Sequence, residues 1–235
     1  MQLRYVAILA TTLLISRHSA PYPFAVGETL QYDARVGPLQ AGTATSRVTR
    51  TATERGHPVY VLTMSGAGGP PGFRSEYAMT SWVGVDRFVS RRFHRRMSVS
   101  GRVDDRRFEI VPDSLRYREE GSSQAWVAPA EPLDELALLY YLRTLPLEVG
   151  QARALRGYFK SGYNPVTVRA TGRESVTLGN GTALRSIALR ITAAGSTIGV
   201  WLSDDARRLP VQLDLPLSFG RVRLVLRAPP AARAQ

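Results

Sequence analysis

The sequence predicts an all-β, mainly antiparallel fold, either a strongly curved sheet or a half-open barrel, with one buried helix. About a dozen short segments alternate apolar and polar residues, which is the two-residue period of a half-buried strand. Glycine, proline, asparagine or aspartate separates them at intervals of roughly 8–12 residues, a spacing typical of sheets that curve or close. A single segment in the middle of the chain has a helical signature instead.

The chain of 235 residues fits a single folded domain, because 44% of its residues are apolar and can build a core. We predict a signal peptide at residues 1–20, one β-rich domain at residues 21–227 and a disordered tail at residues 228–235. The tail reads APPAARAQ and has no apolar period.

The N-terminus has the parts of a secretory signal peptide. Arg4 supplies a positive charge, and Tyr5–Ile15 is an apolar run too short to span a bilayer. The small residues 19–20 form a cleavage site before Pro21. His18 fits poorly at the third position before the cut, so an uncleaved anchor is the alternative. We therefore expect export across an inner membrane and a periplasmic location.

The chain is strongly basic, with a formal net charge of +12. Lys160 is the only lysine, so arginine carries almost all of the positive charge. Two explanations stay open: a genome that favours arginine codons, or attraction to an anionic partner. For an exported protein that partner is a lipid or another anionic envelope polymer. We expect no nucleic acid partner, and contact with a membrane that is peripheral at most.

The sequence contains no cysteine. This excludes disulfides, cysteine-ligated metals and a lipid-modified N-terminal cysteine. An exported protein without disulfides has to be stabilised by its core alone.

The segments before the helix read as strands joined by turns. In the first of them, Glu28–Val36, every second residue is apolar or tyrosine, which places these residues on one face. The segment Gly66–Gly72 (GAGGPPG) has the composition of a loop, and it lacks the following helix that a phosphate-binding loop requires. The other predicted strands are Gly42–Thr51, Val59–Met64, Arg74–Asp86, Arg87–Val99, one beginning near Arg106, Leu115–Arg118 and Ser123–Val127.

Leu133–Leu145 is the predicted helix, and we expect the rest of the fold to pack around it. Asp134 is a good N-cap, and Pro146 ends the segment because the residue before a proline resists the α conformation. Every residue in Leu136–Leu142 is apolar or tyrosine. Since no face is polar, the helix should be buried on more than one side against the curved sheet.

Strands resume after the helix. Asn180 and Gly181 form a strong hairpin turn. The predicted strands are Ala154–Tyr158, Val166–Gly172, Glu174–Leu178, Arg185–Thr192, Thr197–Leu202, Val211–Leu215 and Arg221–Arg227.

Several of these segments resemble a known bacterial family. They are the opening Phe24–Gly42, Leu139–Arg143 (LYYLR) followed by Leu145–Leu147 and Gly150, Tyr158–Val166 (YFKSGYNPV) and Val200–Val211 (VWLSDDARRLPV). With them the chain is similar to the bacterial exported domain-of-unknown-function family 3108 over roughly Phe24–Leu226. That resemblance implies a fold and an exported location, but it brings no activity and no cofactor.

The C-terminal hairpin carries a second resemblance. A strand that ends in residues 201–204 (WLSD), a charged turn and then Leu209–Val211 (LPV) is similar to the lipoprotein carriers of the bacterial periplasm. Those proteins are half-open barrels with a helix across the mouth and an apolar cavity. The resemblance therefore implies a cavity in this chain as well.

The sequence RRFHRR at residues 91–96 differs from the other predicted strands, because both of its faces are basic. Arg91 and Arg95 would lie on one face, and Arg92 and Arg96 on the other. One explanation is a hairpin that projects into water, with its arginines partly paired to carboxylates of the next strand. The alternative is the wall of an anion-binding groove, since guanidinium groups bind phosphate in a bidentate manner.

Aromatic residues of the helix and of the C-terminal hairpin complete the predicted ligand site. We assign ligand binding to Arg91, Arg92, Arg95, Arg96, Tyr140, Tyr141 and Trp201. Aromatic side chains in a β-protein more often build a core than line a cavity, so a filled interior is the alternative.

The sequence shows no catalytic or metal-binding constellation. His57 and His94 have no acid and nucleophile at a recognisable spacing. The pairs Asp104-Asp105 and Asp204-Asp205 are expected in turns, and on a strand such neighbours would point to opposite faces. Lys160 has no acid near it in the sequence and is given no catalytic role. We therefore predict a protein that is not an enzyme and that has no cofactor or metal.

Three functions stay open. The first is a binding protein for an amphipathic or anionic envelope molecule such as a lipid. The second is a structural or protein-interaction module whose interior is filled by its own side chains. The third, an enzyme acting on cell-wall polymers, has no catalytic residues to support it. A cavity distinguishes the first two, because an apolar pocket of roughly a few hundred Å³ indicates a ligand site.

Overall fold

The computed structural model describes residues 22–69, 74–217 and 220–231. The predicted signal peptide and the last four residues of the predicted tail lie outside these ranges. Within them the chain forms one helix, two short 3₁₀ turns and fourteen strands. The strands are β1 (Thr29–Val36), β2 (Leu39–Glu54), β3 (His57–Gly68), β4 (Ser75–Gly84), β5 (Ser90–Val99), β6 (Arg102–Val111), β7 (Arg116–Glu119), β8 (Ala125–Val127), β9 (Ala152–Leu155), β10 (Val166–Thr177), β11 (Ala183–Ala193), β12 (Ser196–Ser203), β13 (Pro210–Leu217) and β14 (Gly220–Leu226).

All fourteen described strands belong to one antiparallel sheet. Its order is β8-β7-β6-β5-β4-β3-β2-β1-β14-β13-β12-β11-β10-β9, so that the first and last strands of the chain pair in the middle. The sheet stays open, because β8 and β9 at its two edges do not pair with each other. Side chains from one face of the sheet pack together around the helix, which requires the sheet to curve. The predicted fold class is confirmed.

The helix α1 (Glu135–Leu142) lies inside the curved sheet and packs against β3 and β4. Asp134 is its N-cap, as predicted: the carboxylate accepts hydrogen bonds from the backbone N–H groups of Leu136 (3.0 Å) and Ala137 (2.9 Å). None of the residues 136–142 is exposed. The helix ends earlier than predicted, because Arg143 and Thr144 donate their N–H groups to carbonyls three residues back, which tightens the last turn.

The core fills the inner face of the sheet. Tyr32, Leu62, Ile187 and Leu202 are fully buried there and pack in one cluster with Tyr140 of α1. A smaller cluster of Phe93, Phe108, Ile110 and Phe159 covers the inner face of β5 and β6. Because inward residues alternate with outward ones along each strand, the period found in the sequence does identify the buried face.

Several predicted boundaries were wrong, and three of them have a clear structural reason. Strand β5 begins at Ser90, because residues 85–89 form the turn from β4. Strand β10 is continuous where two strands were predicted, since a bulge between Ala170 and Gly172 accommodates the break in the pattern. Part of the predicted loop belongs to β3: Gly68 pairs with Gly42 of β2 so closely that a Cβ on Gly68 would lie 2.1 Å from the carbonyl oxygen of Ala41. The glycine at position 68 therefore allows β2 and β3 to approach each other closely.

Candidate functional site

The gap between the two edges of the sheet is closed by main-chain contacts instead of strand pairing. Leu133 lies before α1, and its N–H donates to the carbonyl of Gly157 beyond β9 (2.6 Å). The N–H of Phe159 donates back to the carbonyl of Leu133 (3.0 Å). A Cβ on Gly157 would lie 2.7 Å from the carbonyl oxygen of Glu131, so a larger residue would force these segments apart.

A cleft of about 450 Å³ opens beside this contact. We call it the seam cleft. Its walls come from the β4–β5 turn, the segment before α1, α1 itself and β9. The residues that line it are Arg87, Phe88, Pro129, Ala130, Glu131, Leu133, Tyr141, Ala154, Leu155, Arg156 and Gly157. The volume lies within the range typical of small-molecule sites, roughly 300–1,000 Å³.

One wall of the seam cleft is aromatic. The rings of Phe88 and Tyr141 stack with their centroids 6.1 Å apart and their planes 22° apart. Phe88 also contacts Tyr22 (5.0 Å) and Phe24 (5.9 Å), which anchors it to the core. With Leu133 and Leu155 these rings give the cleft an apolar surface that suits a hydrocarbon chain or ring.

The rim of the seam cleft is charged. Arg87 donates to the carbonyl of Ala130 (2.6 Å), which holds its guanidinium at the mouth. Arg156 has no carboxylate oxygen within 4.0 Å among the described residues, so its guanidinium is free to bind an anion. Glu131 is the one acid among the residues that line the cleft. Apolar walls under two guanidinium groups fit a molecule with an apolar part and an anionic part.

A buried carboxylate fixes the wall that precedes α1. Asp134 accepts hydrogen bonds from the hydroxyls of Ser81 (2.5 Å) and Ser90 (2.7 Å) in addition to its two helix N–H donors. The N–H of Ser90 donates to the carbonyl of Pro132 (2.7 Å). Burial raises the pKa of Asp134 to about 7, although the hydrogen bonds from Ala137 and the two serines act in the opposite direction.

The four arginines of the predicted site do not meet. Arg91 occupies the bulge of β5 with its side chain largely buried, 3.7 Å from Asp113. Arg92 lies on the outer face with its guanidinium 4.8 Å from the ring centre of Trp82. Arg95 lies on the inner face and Arg96 on the outer face.

Besides Arg91, which lies near Asp113, two of these arginines are neutralised by hydrogen-bonded carboxylates. Arg95 donates to Asp104 (2.9 Å) and Arg96 to Asp105 (3.1 Å). Asp105 also accepts a hydrogen bond from His94 (2.8 Å), which lowers the pKa of its carboxyl group. The expectation that Asp104 and Asp105 lie in a turn was wrong, because both lie within β6. The acids point to opposite faces, as neighbours on a strand must.

The three aromatic residues of the predicted site occupy three different environments and do not form one site, although Tyr140 and Tyr141 are neighbours on α1. Tyr140 is buried in the core, where its hydroxyl hydrogen-bonds to Ser46 (3.0 Å) and burial raises its pKa. Trp201 lies on the outer face of β12 and donates its indole N–H to Glu174 (2.6 Å). Tyr141 is the predicted residue found among those that line the seam cleft. Arg96 lines a separate trough of about 480 Å³ on the outer face of β2–β5.

Lys160 has an environment that the sequence did not reveal. Its ammonium lies 4.5 Å from the ring centre of Phe108 and 5.2 Å from that of Phe159. Burial lowers its pKa, and the charges of Glu135 and Arg106 act on it from nearby in opposite directions. Lys160 has no acid near it in the sequence, but the fold places Glu135 of α1 close enough for its charge to act on the ammonium group. No hydrogen-bonded acid and nucleophile accompany it among the described contacts.

Two further properties concern the described residues as a whole. No group of three or more histidine, aspartate or glutamate side chains among them is placed to hold a metal ion. Within the same ranges no helix has the length and the apolar character needed to cross a membrane.

Sequence reasoning missed most residues of the seam cleft. Phe88, Leu155 and Arg156 come from segments that are far apart in the sequence, and each looks like an ordinary strand or turn residue there. Their position depends on where the two edges of the open sheet approach each other. A local pattern does not carry that information.

Comparisons with known proteins agree with the fold. A crystal structure titled as a β-barrel-like protein of domain of unknown function DUF1849, from Brucella abortus, superposes with a TM-score of 0.52 at 10% sequence identity. The match covers 84% of this chain and 94% of that one, and at this identity it shows the fold alone. No curated protein matches the chain. A sequence model of the family described as Protein of unknown function (DUF3108) matches residues 31–227. The chain therefore belongs to the DUF3108 family.

Proposed function

We propose that this protein is an exported, non-enzymatic binding protein that holds an amphipathic anion, such as a lipid with an anionic headgroup, in the seam cleft. The apolar part of the ligand would lie against Phe88, Tyr141 and Leu155, and its headgroup would face Arg87 and Arg156. This retains the class of ligand predicted from the sequence but moves its site away from β5.

The observation that carries the proposal is the union of an apolar wall and an unpaired guanidinium in one cleft of about 450 Å³. Burying hydrocarbon there contributes roughly 25 cal/mol per Å² of apolar area. A hydrogen bond between a guanidinium and a phosphate adds about 1.5–3 kcal/mol. Together these terms favour a ligand with both parts over a purely polar anion.

The inner face of the sheet offers less room. The cavity described there, near Tyr77, Val222 and Leu224, measures about 50 Å³, which is close to the space of one or two water molecules. An extended interior cavity of the kind found in lipoprotein carriers is therefore not what we propose. The ligand would bind at the seam between the sheet edges.

Export supports the identity of the ligand as an envelope molecule. The proposal that the protein is exported rests on the positive charge of Arg4, the apolar run and the small-residue cleavage site in residues 1–20. N-terminal sequencing of the protein from its host should begin near Pro21. Recovery of intact Met1 would contradict export.

Native mass spectrometry of the protein from its own host tests the binding proposal. The parent should retain a small molecule that contains an alkyl chain and an acidic group. Ala154→Trp places an indole in the seam cleft, and this variant should be recovered without that molecule. Ala152→Trp, on the same face of β9 but outside the cleft, is the matched control and should retain it. A parent that carries no molecule, or a ligand kept by the Ala154→Trp variant, would contradict the proposal.

The filled inner face favours a second function, a structural or protein-interaction module. In that case the curved sheet would act through its surface, and neither cleft variant would change what the protein binds. This second function is supported if both variants behave like the parent in the host and neither carries a small molecule.

A further inference from the structure

A row of arginines crosses the outer face of the sheet from β10 to β1. Arg169 of β10 lies directly opposite Arg190 of β11, and Arg223 of β14 lies directly opposite Arg35 of β1. The strands between them continue the row with Gly199 and Asp214. We call the four cations (Arg35, Arg169, Arg190 and Arg223) the arginine row. It shares no residue with the seam cleft.

The arginine row is exposed to solvent. Its members alternate with residues that face inward, and Val168, Leu189 and Leu224, each next to a row arginine in sequence, are buried. Gly199 has no side chain, and the ring of Trp201 lies over it. The row is therefore an exposed strip in which the indole ring of Trp201 covers the position of Gly199 between the arginines.

Like charges directly opposite each other destabilise a sheet, so the row has an energetic cost. Arg169, Arg190 and Arg35 have no carboxylate oxygen within 4.0 Å among the described residues. Arg223 is paired with Asp214 at 2.9 and 3.0 Å. Two other acids lie on this face near the row, and each already has a partner: Glu174 accepts the indole N–H of Trp201, and Asp33 is paired with Arg227. Three guanidinium groups in one row are thus left without an acidic partner.

The spacing of the row separates it into two cation pairs, and the pair of Arg223 and Arg35 carries less net charge because Asp214 is paired with Arg223. Strands in a sheet lie about 4.8 Å apart, so Arg169 and Arg190 lie one step apart, as do Arg223 and Arg35. Three steps, roughly 14 Å, separate the two pairs. Two adjacent guanidinium groups can grip one phosphate with several charge-assisted hydrogen bonds. The hydroxyls of Thr192 and Thr197, 3.1 Å apart and two residues from Arg190 and Gly199 on the same face, offer further donors.

We propose that the arginine row binds a linear, phosphate-rich polyanion that spans both cation pairs. The row runs across the strands of a curved sheet, so a flexible chain can follow it, whereas a flat bilayer would meet one pair at a time. In the intervening roughly 14 Å the chain would pass over the indole of Trp201, which covers Gly199, and over Asp214, which Arg223 neutralises.

Chain length provides the test. Binding of pyrophosphate and of long-chain inorganic polyphosphate would be measured at low salt by titration calorimetry. Pyrophosphate reaches one cation pair, whereas the long chain reaches both and gains effective concentration for the second contact. We expect the long chain to bind the parent at least roughly tenfold more tightly than pyrophosphate. In the variant Arg169→Gln/Arg190→Gln that gain should disappear.

The control variant is Arg47→Gln/Arg102→Gln, which removes the same charge from two exposed arginines outside the row that also lack a carboxylate within 4.0 Å. This variant should still bind the long chain more tightly than pyrophosphate. If both variants lose the tighter binding of the long chain equally, the effect depends only on net charge and the proposal is overturned. A parent that does not bind polyphosphate would also overturn it. The same titrations would be made with vesicles that contain anionic phospholipid. If the parent binds these vesicles more tightly than polyphosphate and the row variant does not bind them, the row would be assigned to a membrane surface instead. The row variant should unfold at the temperature of the parent or slightly above it, because it loses only a repulsive pair.

Discussion

Arg143 at the end of α1 forms a buried bidentate ion pair with Glu28, 115 residues away in the sequence. Its Nη1 and Nη2 atoms donate to the two carboxylate oxygens at 2.6 and 2.9 Å, and the Arg143 side chain is fully buried. Nη2 also donates to the carbonyls of Pro23 (2.8 Å) and Arg207 (3.0 Å). Arg143 therefore joins the N-terminal segment, the helix and the β12–β13 turn, three of the segments on which the family resemblance rests.

Replacing Arg143 by methionine should destabilise the protein by about 3–5 kcal/mol, because the carboxylate of Glu28 is left buried without a partner. Urea unfolding measures this loss. In the double variant Arg143→Met/Glu28→Gln the cost should be at least about 1 kcal/mol smaller than the sum of the two single costs, since the unpaired charge is gone. Additive costs would show that the two side chains do not act as a pair.

The buried carboxyl of Asp134 predicts a dependence of stability on pH. Its pKa is about 7 in the folded protein and near 3.8 when unfolded, so the folded state keeps a proton that the unfolded state has lost between these values. The contribution of this group is fully present below about pH 4 and is lost as the pH rises through 7. The total change is about 4 kcal/mol at 1.36 kcal/mol per pKa unit. The Asp134→Asn variant should lack this part of the pH dependence of the free energy of unfolding. If the pH dependence is unchanged in this variant, Asp134 is not the group responsible.

The orientation of α1 predicts unequal costs for two neighbouring leucines. Leu142 is 1% exposed, whereas Leu139 is only partly buried. Leu142→Ala should therefore destabilise the protein by about 2–5 kcal/mol. Leu139→Ala should cost clearly less, about 1 kcal/mol. Chemical unfolding of the two variants decides the matter, and equal costs would mean that the helix is rotated from the described position.

Much of the fold follows from local patterns in the sequence. The alternation along β1 identifies the buried face, and Asp134 marks the start of the helix, because both depend on a few neighbouring residues. The end of α1 was harder to predict, since apolar residues continue to Leu145 while the last turn tightens at Arg143. Bulges such as the one at Arg91 shift the alternation by one residue and move a side chain to the other face.

The candidate sites depend on relationships that no local pattern contains. The ion pair of Arg143 joins residues 115 apart, and the sequence offers no period that links them. The arginine row appears only when the register of six strands is known. The sequence RRFHRR at residues 91–96 was conspicuous because its arginines are adjacent. In the fold, however, neighbouring residues of a strand point to opposite faces of the sheet. Carboxylates of β6 then pair with Arg95 and Arg96.

The central claim is that the seam cleft binds an amphipathic anion, and the most direct measurement is a titration with dodecyl phosphate below its micelle concentration. We expect one saturable site in the parent and its loss in Ala154→Trp, with Ala152→Trp unchanged. Arg156→Gln should weaken binding about tenfold, equivalent to about 1.4 kcal/mol, through loss of a charged hydrogen bond. Arg153→Gln, three residues earlier and outside the cleft, should have no effect. A parent that does not bind dodecyl phosphate, or an Ala154→Trp variant that binds it as tightly as the parent, would contradict the claim.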